Sequence, residues 1–202
     1  GLLRDLTAWA SSQVHIIAGE RLIYDDTLYA RDSSTVTVTG GQISGDVRAY
    51  DSATLDISGG IVADDVTVAG SSTVDFSGGD IVEDLRVEDS AVATISGGAI
   101  HEGVSAADSS MVEFTGGSVA DMVSCSDLST MNIFAGTLHR GIIAYGSSVV
   151  NVSGGVIGQP DESIQALGDS RIVLGRDGKR LPTDSVRIRL DEQQGATGQD
   201  LV

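Results

Sequence analysis

Apolar and polar residues alternate in short runs that recur every 19 positions. Gly-Gly pairs mark the register at Gly40-Gly41, Gly59-Gly60, Gly78-Gly79, Gly97-Gly98, Gly116-Gly117 and Gly154-Gly155. The last interval is 38, and its midpoint holds Ala135-Gly136, a degenerate copy. Two apolar residues precede each pair at alternate positions: Val36 and Val38, Leu55 and Ile57, Val74 and Phe76, continuing to Val150 and Val152. One apolar residue follows each pair, from Ile43 and Val62 to Ile157. A second alternating couple comes next: Val47 and Ala49, Val66 and Val68, Leu85 and Val87, through Ile142 and Ala144.

Period-two alternation is the mark of strands with one face buried and one exposed. A unit of two or three such short strands cannot bury its apolar face alone, but stacked units can. The pattern therefore predicts an all-β, single-stranded parallel β-solenoid. Parallel crossovers are nearly always right-handed, so a right-handed coil is expected. Counting the partial units at both ends gives about eight coils, a rod of about 38 Å at about 4.8 Å per coil. The glycine pairs predict sharp corners with positive φ, which puts the cost of Gly97→Val at roughly 1–3 kcal/mol. The opposite corner reads Asp-Ser (Asp32-Ser33, Asp51-Ser52, Asp89-Ser90, Asp108-Ser109), where short polar side chains are expected to bond their own backbone.

The ends of such an array need covers, because they expose core and unpaired strand edges. Leu2, Leu3, Leu6 and Trp9 have helical spacing. They predict an N-terminal cap helix within residues 1–11, ahead of a solenoid over 12–175. Val186, Ile188 and Leu190 alternate with Arg187 and Arg189. They predict a last strand within a C-terminal region, 176–202, that ends in a frayed tail.

Composition narrows the function. With Lys+Arg at 12 and Asp+Glu at 29, the net charge is −17. Of these, 19 acidic and 4 basic residues lie between 34 and 175, so the solenoid itself carries the charge. That argues against nucleic acid and against anionic membrane surfaces as partners. No apolar run approaches the roughly 18 residues of a membrane span, so no membrane insertion is expected. The single cysteine, Cys125, excludes an intrachain disulfide framework and shares a column with small inward residues.

The phrase Ser72-Thr-Val-Asp-Phe-Ser-Gly-Gly-Asp-Ile81, continued by Leu85, Val87 and Asp89-Ser90, resembles repeats of secreted bacterial surface proteins. These include autotransporter-type adhesin passengers and sortase-like-anchored exoproteins. The resemblance covers about residues 12–178 and implies the solenoid fold with a structural or adhesive role, secreted or at the cell surface. It also implies export and anchoring segments, which are expected to have been removed from a chain that starts at Gly1. Glycans or other surface proteins are the expected partners.

In a solenoid, chemistry must be sought down columns of stacked positions. Asp46, Asp65 and Asp84 share one column, and Asp64, Glu83, Glu102 and Asp121 share the next. Such carboxylates repel, and Ca²⁺ with its oxygen ligands would relieve them. Asp64, Asp65, Glu83, Asp84 and Glu102 are therefore the candidate calcium residues, and calcium is the only cofactor the sequence suggests. The competing reading is a solvated acidic face. Asp65 with Asp84, or Glu83 with Glu102, would also be the pairs for a carbohydrate-active β-helix, a lyase or glycoside hydrolase. Minimal coils without long loops favour a non-catalytic module instead. His101 and His139 fall two coils apart in one column. Thr35, Thr54 and Thr73 form a threonine column of the kind used by ice-binding solenoids. It continues as Val92, Met111, Thr130 and Val149, so Val92, Met111 and Val149 suggest a self-association or protein contact face.

Overall fold

The computed structural model describes residues 6–17, 21–23, 27–158, 163–175 and 187–190, with only the backbone of 21–23, 163 and 187–190. Among them there is no helix. The strands form two parallel sheets, one of ten short strands and one of twelve, and stack into a β-solenoid of about eight coils. One coil shows the plan. Thr54–Val62 runs as a long strand through Gly59 and Gly60, turns at residues 63–65, and continues as the short strand Val66–Val68. A corner at residues 69–72 leads into the next long strand, Thr73–Ile81.

Pairing follows the 19-residue period without slippage at the buried positions. Leu55 lies against Val36 and Val74, Ile57 against Val38 and Phe76, and Val66 against Val47 and Leu85. A shift by one residue would turn every inward side chain to solvent, so the alternation fixes the register. All the predicted columns are buried, including Ile43 through Ile157 and Ala49 through Ala144. Each fully buried Val, Leu or Ile contributes about 1.5–3 kcal/mol.

The N-terminal cap helix is corrected at residues 6–8. Leu6–Ala8 is a strand, paired in parallel with Leu28–Ala30 through Leu6↔Leu28, Thr7↔Tyr29 and Ala8↔Ala30. Leu6 and Ala8 are two apart, so they extend the inward columns that run on through Val47 and Ala49. Trp9 is 57% exposed. Leu2 and Leu3, the other half of the expected helical face, lie outside the described residues. At the far end the expected last strand is present: Arg187–Leu190 pairs in parallel with Ser163–Ala166. The tail from 191 lies outside the described residues.

The two glycines of each pair do different work. The second takes positive φ, as at Gly60 (+87°), Gly79 (+90°) and Gly98 (+76°). The first does not. A Cβ on Gly59 would stand 2.7 Å from the Thr39 carbonyl oxygen, and one on Gly78 equally close to that of Ser58. Gly97 is of this first kind, crowded by the Ser77 carbonyl. The expected cost of Gly97→Val therefore comes from the close approach of the neighbouring coil rather than from φ. The same register shift recurs at Thr39↔Gly59, Ser58↔Gly78 and Thr115↔Ala135, so it belongs to the corner itself and not to the alanine.

Candidate functional site

Acidic residues gather at the two corners flanking the short strands, while Asp56, Asp75, Asp80 and Glu113 lie on the long strands. At the Asp-Ser corner, Asp32, Asp51, Asp89, Asp108 and Asp127 take φ of 57° to 64°, and Gly70 and Gly146 fill the same position in other coils. The aspartates do not bond their own backbone as expected. Each reaches one coil back. Asp51 Oδ2 accepts the Asp32 N–H (3.1 Å), Asp89 Oδ2 that of Gly70 (2.9 Å) and Asp108 Oδ2 that of Asp89 (3.1 Å). Beneath this corner lies a column of buried serines. Ser110 Oγ donates to the Val87 carbonyl (3.0 Å), and Ser148 Oγ reaches the Cys125 carbonyl (2.9 Å).

At the other corner the candidate calcium residues divide. Asp46, Asp64 and Asp65 each bring a carboxylate oxygen within 4.8 Å of the others, whereas Glu83, Asp84 and Glu102 do not join this group. Most of these oxygens already have partners. Asp65 Oδ1 accepts the Asp84 N–H (3.1 Å) and Asp84 Oδ1 accepts the Gly103 N–H (2.8 Å). Their Oδ2 atoms both pair with Arg86, at 2.7 Å from Asp84. Asp46 pairs with Arg48 at 2.7 Å, and Asp64 accepts the Asp65 N–H at 3.1 Å. The pair Asp65 and Asp84, considered for hydrolysis, is thus bridged by a guanidinium. The hydrogen bond to Asp65 raises the Arg86 pKa, opposed by burial and aided by the charges of Asp65 and Asp84. Glu83 is partly exposed, and its carboxyl is pushed up chiefly by Glu102, with desolvation, Asp64, Asp65 and Asp84 adding. Crowded negative charge is therefore present along this edge.

The remaining candidates fall as follows. His101 turns to Asp80 (Nε2 to Oδ1, 2.9 Å), and Arg140 to Asp121 (3.3 Å). Cys125 is fully buried beside the Ser129 hydroxyl (3.1 Å), and burial pushes its thiol pKa up. Thr35, Thr54 and Thr73 occupy successive rungs, and Val92 and Met111 follow directly. Thr130 separates Met111 from Val149, so the apolar face is interrupted.

Two surface groupings went unnoticed in the sequence. At one end of the short-strand sheet the Arg31 guanidinium lies 5.1 Å from the Tyr50 ring centre, 5.2 Å from Tyr29 and 5.5 Å from Trp9. Trp9, Arg31 and Tyr50 stack in one column, with Tyr29 in another, but that column goes on as Ala69, Glu88 and Ala107, so no repeated chemistry marks it in the sequence. Toward the opposite end of the long-strand sheet, Glu113, Asn132, Asn151 and Val173 occupy successive rungs. Asn151 Nδ2 donates to Asn132 Oδ1 at 2.9 Å. These four, with Phe134, Val152, Ser153 and Gly175, line an open groove of about 360 Å³. The signal for it was Phe134. It stands before a glycine corner where other coils carry Thr39, Ser58, Ser77, Ser96, Thr115 and Ser153. No protein-family model matches the chain, and neither does any curated protein or any solved structure.

Proposed function

We propose that this chain is a non-catalytic module of a secreted or cell-surface bacterial protein, a stiff spacer whose side faces make adhesive contacts. The observation that carries the reading is the use made of the carboxylates. The corner aspartates hold backbone N–H groups of adjacent coils, and Asp65 and Asp84 hold Arg86 between them. An acid or nucleophile for sugar chemistry needs a carboxyl free to reach its substrate. A spacer needs the opposite, side chains that lock one coil to the next. The likeness of the repeat phrase to surface-protein repeats points the same way.

The test is a glycan array probed with the 202-residue protein, with and without Ca²⁺, followed by product analysis on each ligand. Binding without turnover supports the adhesive module. Product formation overturns it and directs mutagenesis to Asp64, Asp65, Glu83 and Asp84. Calcium enters only if its addition raises the melting temperature and Asp64→Asn removes that rise.

A further inference from the structure

We propose that the groove at Phe134 is a binding site for a neutral glycan, seated along the long-strand sheet parallel to the solenoid axis. The inference rests on the adhesive reading and gives it a place and a ligand class.

The groove is where the repeat departs from itself. In the column Thr115, Phe134, Ser153, Gly175, side-chain size rises to a phenyl ring and falls to nothing within two rungs. Phe134 therefore stands as a wall beside a step. It is 45% exposed, although a serine here, as in the neighbouring coils, would leave no apolar ring in water. The next column supplies polar groups: the Glu113 carboxylate and the amides of Asn132 and Asn151. The amides bond each other at 2.9 Å. That bond uses the Asn151 Nδ2 and the Asn132 Oδ1, and leaves the Asn132 Nδ2 protons and the Asn151 Oδ1 lone pairs in the groove lining as donors and acceptors.

This is the chemistry that recognises a pyranose. An aromatic face packs on the sugar's C–H face, while amides and a carboxylate exchange hydrogen bonds with vicinal hydroxyls. About 360 Å³ lies at the small end of ligand sites and suits one or two sugar residues. The rungs repeat every 4.8 Å or so, close to the advance of one residue in an extended glycan. Glu113, in a chain of net charge −17, disfavours anionic polymers, and a neutral glycan meets no such repulsion.

The test titrates ¹⁵N-labelled protein with cellohexaose, xylohexaose, mannohexaose and maltohexaose, and with oligogalacturonate as the anionic contrast. The readouts are the side-chain amide resonances of Asn132 and Asn151. Phe134→Ser and Asn132→Thr restore residues that other coils carry at these positions (Ser58 and Ser77, Thr37 and Thr94), so both variants are expected to keep the fold, which the dispersion of their backbone amide resonances checks. One neutral hexasaccharide is expected to shift both amides, with affinity weakened about tenfold or more in Phe134→Ser. A hexasaccharide that binds equally well to both variants and leaves the amides unmoved overturns the groove, while the adhesive reading stands. Preference for oligogalacturonate overturns the ligand class. Silence up to 10 mM-scale titration overturns the site, and the glycan array then decides the adhesive reading separately. Cleavage of any oligosaccharide overturns both.

Discussion

Asp89 tests whether the acidic corner is structural. Its backbone has φ of 57°, and its Oδ2 accepts the Gly70 N–H at 2.9 Å on an exposed corner. Replacing it by Ala removes the acceptor and leaves a Cβ in the left-handed region. The exposed N–H is then taken up by water, so the lost bond costs about 0.5–1 kcal/mol. The backbone term adds about 1–2 kcal/mol. Asp89→Ala should therefore lose about 1.5–3 kcal/mol. Asp89→Gly loses the same bond but relieves the backbone, as Gly70 and Gly146 do in their own coils, and should lose about 1 kcal/mol or less. Asp89→Asn keeps an acceptor oxygen and tolerates the conformation, so its loss stays within about 0.5 kcal/mol. Urea unfolding followed by far-ultraviolet circular dichroism ranks the three by midpoint at a common slope. Equal losses for Ala and Gly would refute the backbone argument. An Asn variant as weak as Ala would refute the acceptor argument.

Other perturbations separate other features. Gly78→Ala, at a position without positive φ, should lose about 1–3 kcal/mol in the same assay because its Cβ meets the Ser58 carbonyl oxygen; an unchanged midpoint would contradict the close approach. The raised Glu83 carboxyl binds its proton more tightly folded than unfolded, so its own contribution to stability grows as pH falls through that range and is lost as pH rises. Glu83→Gln should accordingly melt higher than wild type at pH 7 and low salt, with the gap closing in molar salt and at pH below the carboxyl range. Cys125 should resist thiol reagents at pH 8 in the folded protein and react at once in denaturant, whereas labelling without unfolding would show that the coil opens there.

The coil and its core were legible because period-two alternation and the glycine spacing repeat many times, so each column averages out local exceptions. Leu6-Thr7-Ala8 is too short to show a period, and its neighbours Leu2, Leu3 and Trp9 happen to fit a helical face. The aspartate acceptors escaped for another reason. A turn rule looks two or three residues along the chain, whereas Asp89 serves Gly70, 19 positions away. A similar separation hid the two roles within each glycine pair, since crowding at Gly78 comes from Ser58 in the preceding coil. The acidic columns were visible as charge, but Arg86 bridging Asp65 and Asp84 needed coordinates. Phe134 was visible as an irregularity and gained meaning only beside Asn132, Asn151 and Val173.

The backward-reaching aspartate has an evolutionary consequence. Each coil with a corner aspartate brings an acceptor for its predecessor and, like the glycine coils, can offer an N–H to its successor. Excising residues 89–107 would set Asp108 over Gly70, where it would replace Asp89, as the Asp108 bond to Asp89 already shows. The joint is the same wherever the coil that follows the cut carries a corner aspartate. Gene duplication or deletion of a whole unit can thus lengthen or shorten the rod without redesigning a corner, and reach becomes a matter of copy number.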